Sequence, residues 1–163
     1  MASSRDTLDG GRCEARLPQD LLRDLRDELL LKTGSQWAQP ISGSMSPLIR
    51  PHDHVLIERV HPDQVRFGDV IMFASAEERV IHRVVGKKRC LGELTFLEKG
   101  DLNPSIGLVP AHHVLGRVSL VWRGGCSLDL LSGRGRAVQI ALAVCSMAPL
   151  VTKESVKQVL GRL

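Results

Sequence analysis

The fold class follows from short apolar runs, of which the clearest is Val80-Ile81-His82-Arg83-Val84-Val85, ending at Gly86. Side chains alternate between the two faces of a strand, so His82 and Arg83 are expected to face opposite ways. Similar runs, separated by turn residues, lie on both sides of this one. They cover residues 55–57, 69–73, 94–97 and 114–121. We therefore expect a mainly β domain over residues 36–124.

Two segments precede this domain in the sequence. Residues 1–16 are polar and lack hydrophobic periodicity, so we expect a disordered arm. Residues 17–35 are expected to form an amphipathic helix that starts at Pro18 and stops at Gly34. Its leucines recur at three- and four-residue spacings and form one apolar stripe. The stripe consists of Leu21, Leu22, Leu25, Leu29 and Leu30. We expect it to pack against the β domain, with a partner helix or a membrane surface as the alternatives.

Residues 125–163 are expected to be a linker followed by a helical tail. Residues 137–151 are apolar, but these 15 residues fall short of the roughly 20 that a membrane-spanning helix needs. A buried or interfacial helix is the better prediction for them. A second, short helix is expected over residues 153–163. Residues 1–17 resemble neither a signal peptide nor a membrane anchor.

The composition limits the classes of partner. The chain has 163 residues and a net charge of +4, and its aromatic content is 3%. This small excess of positive charge and the scarcity of aromatic rings argue against a nucleic-acid partner. The cysteines lack the spacing of a zinc site or a redox motif, so we expect reduced thiols, with a disulfide left open. They are Cys13, Cys90, Cys126 and Cys145. Neither a metal ion nor a cofactor is expected.

The first candidate for chemistry is the segment Ser42-Gly43-Ser44-Met45-Ser46-Pro47. A serine nucleophile needs exposure, a nearby base and donors for the oxyanion. Gly43 permits a sharp turn before Ser44, and Pro47 constrains the direction of the chain after it. A cluster of Ser, Gly and Pro is by itself more typical of an ordinary loop.

Two further residues could complete a catalytic group. His82 lies in an apolar strand, where a histidine is more often structural than a general base. Asp101 lies in the turn Lys99–Pro104, where an aspartate is common for reasons of turn geometry alone. Together with Ser44, however, they supply a nucleophile, a base and an orienting acid in one β domain. The order Ser, His, Asp along the chain is no obstacle, because only the final geometry matters.

Five segments, taken in order, resemble the conserved blocks of type I signal peptidases. They are Ser42–Asp53, Gly68–Phe73, Ile81–Val85, Glu98–Pro104 and Val114–Val118. The resemblance is to the branch that uses histidine as the base, as in the endoplasmic-reticulum and archaeal type. It implies an all-β catalytic core, a nucleophile at Ser44 and a base at His82. It also implies that Asp101 orients His82, and that the Ser44 N–H and the Ser42 hydroxyl hold the oxyanion.

The same resemblance implies a peptide or precursor-protein substrate that binds as an added strand. It also implies cleavage next to small side chains and association with a membrane. His52 stands where the family has glycine. Three larger features depart from the family pattern: a charged amphipathic helix replaces the transmembrane helix before the serine segment, residues 102–110 contain no second acid, and the chain is short and lacks the large insertion of the housekeeping enzymes. A cytoplasmic location therefore remains an alternative to a membrane-associated one.

Two other functions fit the same segments. The chain could be a self-cleaving regulator of the repressor type, which shares this fold, although such proteins use lysine as the base. It could also be a non-catalytic peptide-binding module, since a fold can persist after its activity is lost. We expect the serine endopeptidase.

Overall fold

The structure is a computed structural model that describes residues 18–76, 78–90 and 92–160. Two α-helices enclose the strands in chain order, and short 3₁₀ turns lie at Pro62–Gln64 and Ala111–His113. The helices are α1 (Gln19–Thr33) and α2 (Gly133–Leu160). The strands are β1 (Ser35–Ala38), β2 (His54–Glu58), β3 (Val70–Ala74), β4 (Arg79–Cys90), β5 (Glu93–Lys99), β6 (Gly107–Pro110), β7 (Val114–Arg123) and β8 (Cys126–Asp129).

The strands form one antiparallel sheet in the order β1-β2-β7-β3-β4-β5-β6. Strand β7 is long enough to pair with β3 near its start and with β8 near its end. The expected mainly β fold with a helix at each end is confirmed. β8 lies in the segment that we expected to be a linker, so the sheet continues beyond residue 124 and ends at Asp129.

Two apolar clusters hold the sheet together. The first joins β2, β3 and β7 to α1 and to the loop between β1 and β2. The second lies between β3, β4, β5 and β6. β3 is covered on both faces, because its residues from Val70 to Phe73 are all buried. This buried central strand lies beside β4, the strand that carries His82.

The orientation of α1 differs from the expectation. The helix ends as predicted, at Gly34 in the left-handed region with φ 78°, where its N–H donates to Leu30 O. Leu30 is buried against the first cluster, but Leu25 and Leu29 are 48% and 51% exposed. The inward face also carries Asp27, which is paired with Arg79 of β4. The face of α1 that meets the β domain thus carries Leu30 and Asp27, and most of the leucine stripe points away from the domain.

The helical tail is confirmed as one continuous helix, α2, rather than two. It packs on β4 and β8 through buried Gln139 and Ala143. Neither helix, over its described residues, is long and apolar enough to cross a lipid bilayer. The predicted disordered arm and the last three residues of the tail lie outside the described residues.

Candidate active site

The serine segment is a surface loop between β1 and β2, and buried apolar side chains attach it to the first apolar cluster. Met45 and Ile49 are 3% and 1% exposed, and both belong to the first apolar cluster. Two backbone hydrogen bonds, Ser46 N to Gly43 O and Ile49 N to Met45 O, both 3.0 Å, tighten the turn. Ser44, immediately before Met45, is half-buried. The loop therefore holds a serine at the surface of the core.

An ion pair fixes the far end of the loop. Asp53 accepts hydrogen bonds from Arg123 Nε and from Arg50 N, both 2.7 Å. Arg123 also donates to Leu48 O at 3.0 Å, which ties β7 to the loop. The hydrogen bond from Arg123, followed by that from Arg50 N, holds the pKa of the Asp53 carboxyl below its ordinary value, against the opposing effect of burial. The charge of Asp53 thus contributes to the shape of the loop.

His52 occupies a backbone conformation that suits glycine. Its φ is 67°, in the left-handed region that residues with a side chain rarely adopt. Its N–H donates to Pro40 O at 2.8 Å, and Gln39 Nε2 donates to its carbonyl oxygen at 3.0 Å. These bonds close the base of the loop. The glycine that the resemblance places at this position matches the observed φ.

The two expected oxyanion donors lie next to each other. Ser42 Oγ is 3.1 Å from Ser44 Oγ, and Ser44 N donates to Ser42 Oγ at 3.4 Å. A donor pair for an oxyanion must converge on one point beside the nucleophile. Both groups border the Ser44 oxygen, but here the Ser44 N–H is bound to the Ser42 hydroxyl, so it must leave that partner before both groups can donate to an oxyanion.

The imidazole of His82 is bound by a carboxylate, and that carboxylate belongs to Glu98. His82 Nδ1 lies 2.5 Å from Glu98 Oε2, with the two side chains only 15% and 13% exposed. Because an ionised carboxylate can only accept, the Nδ1 nitrogen must carry the proton in this contact. When the ring is neutral, this leaves Nε2 without a proton and able to accept one. This is the tautomer that a general base requires.

The expected contact between Asp101 and His82 is not the one that forms. Both oxygens of Asp101 accept hydrogen bonds from Arg83, at 2.7 Å each from Nε and Nη2. Arg83 is fully buried and also donates to Gly68 O at 2.9 Å and to Gln139 O at 3.4 Å. His82 and Arg83 are neighbours on one strand and face opposite sides of it. Asp101 lies on the Arg83 side and has a structural role there.

A single turn connects the serine loop to the histidine. Leu102 N, in the turn after β5, donates to Ser44 O at 2.9 Å. In the same turn, a Cβ added to Gly100 would lie 3.1 Å from His82 Nε2. Buried Lys99 donates to Gly100 O at 3.2 Å and so supports this backbone. The turn therefore places the Ser44 backbone and the free nitrogen of His82 against the same few residues.

The Ser44 hydroxyl and the His82 imidazole are not hydrogen-bonded to each other in this structure. Within the described part of the chain, the hydrogen bonds of the Ser44 hydroxyl and the His82 ring run to Ser42 and Glu98, and none links the two. Catalytic hydrogen bonds of this kind often form or tighten only when the substrate is bound. Ser44, His82 and Glu98 together can still supply a nucleophile, a base and an orienting acid.

The remaining predictions from the sequence concern metal binding and the four cysteines. Among residues 18–76, 78–90 and 92–160, no cluster of three or more His, Cys, Asp or Glu side chains could hold a metal ion. Cys126 and Cys145 are free, exposed thiols. Cys13 and the side chain of Cys90 lie outside the described part, so the question of a disulfide there stays open.

Comparison with known proteins adds nothing to this geometry. No model of a known protein family matches the chain, and no curated protein sequence matches it significantly. What the site does must therefore be inferred from its contacts and from the sequence motifs.

Proposed function

We propose that this chain is a serine endopeptidase in which Ser44 is the nucleophile, His82 the general base and Glu98 the acid that orients the base. One observation carries the proposal. A shielded carboxylate binds His82 Nδ1, while Nε2 faces the turn that is hydrogen-bonded to the Ser44 backbone. A purely structural role for His82 would not explain a carboxylate on Nδ1 together with an Nε2 beside the turn that binds the Ser44 backbone.

The mechanism follows from these contacts. His82 Nε2 takes the proton of the Ser44 hydroxyl as Ser44 Oγ attacks the carbonyl carbon of the scissile peptide bond. The Ser44 N–H and the Ser42 hydroxyl donate to the oxyanion. Glu98 stabilises the imidazolium that has formed. Protonated His82 then gives its proton to the leaving amine, and an acyl ester on Ser44 remains. Water, activated by His82, hydrolyses the ester and restores the hydroxyl.

The substrate that fits this site is an extended peptide segment. Ser44 lies on a surface loop, and β1, the strand that leads into this loop, is at one end of the strand order. An edge strand offers unpaired N–H and C=O groups to a peptide that binds as an added strand. Exposed Ile41 and Leu102, which flank Ser44, provide apolar contacts for its side chains. Cleavage of precursor peptides or proteins is the activity we propose.

A fluorophosphonate probe tests the proposal, because it reacts with activated serine hydroxyls and needs no knowledge of the substrate. The wild-type chain should be labelled at Ser44. Ser44→Ala should abolish labelling, and His82→Ala should slow it by about 10²–10⁴-fold, the usual contribution of a general base. Ser46→Ala, in the same loop, and His112→Ala, an exposed histidine, are the matched controls and should label normally.

The outcomes also separate the alternatives. A wild-type chain that folds but is never labelled at Ser44 contradicts the enzyme and favours a peptide-binding module. A chain that cuts itself on incubation at alkaline pH, as measured by intact mass, favours a self-cleaving regulator. Labelling at Ser44 that does not depend on His82 would remove the general base from the mechanism.

A further inference from the structure

The position opposite Glu98 on the next strand is occupied by a glycine. Gly107 opens β6, and the register of the sheet pairs it directly with Glu98 of β5. Cross-strand partners point to the same face of the sheet. A glycine inside a strand is unfavourable for backbone entropy and leaves no side chain to pack, so its presence often marks a close approach by another group. At Gly107 the approaching group is the Glu98 carboxylate.

The Glu98 side chain occupies the space where a Cβ of residue 107 would be. A Cβ built on Gly107 would overlap Glu98 Oε1 and would lie 2.9 Å from Glu98 Cδ. Gly86, in the neighbouring strand β4, differs. A Cβ there would make ordinary contacts of 3.5 Å and 3.6 Å with Leu97. Neither glycine has a positive φ. The backbone therefore accepts alanine at both positions, and only at Gly107 does the side chain of Glu98 obstruct it.

We infer that Gly107 is a positioning residue: its missing side chain lets the Glu98 carboxylate lie across β6 and reach His82 Nδ1. The inference deepens the proposed function and rests on it for its catalytic meaning. The group that must yield to a methyl at position 107 is the end of a flexible side chain, not backbone. Gly107→Ala should therefore cost the fold little, while it removes the carboxylate from His82.

The first test reads the contact itself and is independent of activity. In ¹⁵N-labelled protein, an imidazole Nδ1 proton bound to a carboxylate gives a strongly downfield, exchange-protected resonance. The wild type and the control Gly86→Ala should show this signal for His82. Glu98→Ala and Gly107→Ala should both lose it. A Gly107→Ala chain that keeps the signal at its wild-type position overturns the inference.

The second test asks whether Gly107 acts through Glu98. Gly107→Ala should slow fluorophosphonate labelling of Ser44 by about 10²-fold, the usual effect of displacing a catalytic group by about 1 Å. Glu98→Ala removes the obstructing side chain, so adding Gly107→Ala to it should slow labelling no further. Equal slowing in both backgrounds would assign Gly107 a general structural role and overturn the inference.

The same two backgrounds, wild type and Glu98→Ala, also allow a result to be read if Gly107→Ala fails to fold. If Gly107→Ala unfolds the chain but Glu98→Ala/Gly107→Ala folds normally, the clash with Glu98 stands. If Gly107→Ala lowers the free energy of unfolding equally in the wild-type and Glu98→Ala backgrounds, Gly107 is required by strand β6 itself rather than by Glu98. The inference then fails. Failure of the proposed function can be told apart from failure of this inference. A wild type that is never labelled by the probe contradicts the proposed function, and the NMR comparison then decides whether Gly107 positions Glu98.

Discussion

Replacing Asp101 by asparagine should destabilise the protein strongly, and for a reason unrelated to catalysis. The change keeps the shape of the side chain but removes the charge that faces Arg83. Arg83 is 0% exposed and Asp101 5%. After the substitution the buried guanidinium keeps the carbonyl acceptors Gly68 O and Gln139 O and can still donate to the amide oxygen at position 101, but it loses the counter-charge that Asp101 supplies. Breaking a buried ion pair by removing one partner costs about 3–5 kcal/mol, a large part of the 5–15 kcal/mol typical of a domain.

Urea unfolding followed by circular dichroism measures this loss. With a slope of about 2 kcal/mol per molar urea, a loss of 4 kcal/mol lowers the midpoint by about 2 M. Asp63→Asn is the matched control. Asp63 forms an ion pair with Arg89, and both side chains are about 60% exposed (59% and 63%). An exposed pair contributes at most about 1 kcal/mol, so the control midpoint should shift by less than 0.5 M.

A double-mutant cycle identifies the partner. Arg83→Met and Asp101→Leu should each be strongly destabilising, while the double variant should recover part of the loss because no charge is left unpaired. Recovery should be incomplete, since Gly68 O and Gln139 O lose their donor. An Asp101→Asn chain as stable as the Asp63→Asn control would refute the structural role that we assign to Asp101.

Two further predictions concern the loop that carries Ser44. At His52, substitution by glycine should change the free energy of unfolding by less than about 1 kcal/mol, because relief of the left-handed φ offsets the added chain entropy. His52→Val should lose roughly 2 kcal/mol in the same unfolding assay, since a β-branched residue fits this conformation worst; equal stability of the two variants would contradict the assigned φ. For Asp53, the folded-state pKa is lowered mainly by Arg123, so its contribution is present above the ordinary pKa of about 3.8 and is lost as pH falls through the folded value. The stability gap between wild type and Asp53→Asn, about 1–2 kcal/mol at pH 7, should therefore shrink towards pH 3 in urea titrations, and a gap that is constant with pH would show that the charge is not involved.

The longer elements could be predicted from the sequence because each carries enough periodic residues to show its pattern. α1 and the five longer strands are present close to their expected positions. The three strands that the pattern missed, β1, β6 and β8, have four residues each. A strand this short contains only one or two residues on its inner face, so alternation cannot distinguish it from a loop. These segments become strands because a longer neighbour supplies their hydrogen bonds.

The leucine stripe of α1 shows a different limit. The periodicity of the leucines correctly predicts a helix, but it does not specify which face meets the β domain. Asp27 and Arg79 are 52 positions apart in the chain, and nothing local to either predicts their ion pair. The pair lies on the face of α1 that meets the β domain, and of the stripe only Leu30 is buried.

The identity of the acid beside His82 depends on one irregularity in the hairpin of β4 and β5. From Gly86 to Cys90 the two strands pair in one register, in which Gly86 faces Leu97. Continued without interruption, that register would set Asp101 opposite His82, which is the contact expected from the motifs. A shift between Val84 and Gly86 moves the pairing by one residue, so that Val84 faces Glu98.

A shift of one residue exchanges the two faces of a strand. The shift therefore places Asp101 on the same side of β4 as buried Arg83, with which it forms an ion pair. It places Glu98 on the side of His82. Alternation within β5 already indicates that Glu98 and Asp101 face opposite ways, but not which of them faces the histidine. That choice is made by the register, and the register is set by packing between strands rather than by any local motif. The same shift brings Glu98 opposite Gly107, where its carboxylate has the room it needs to reach His82.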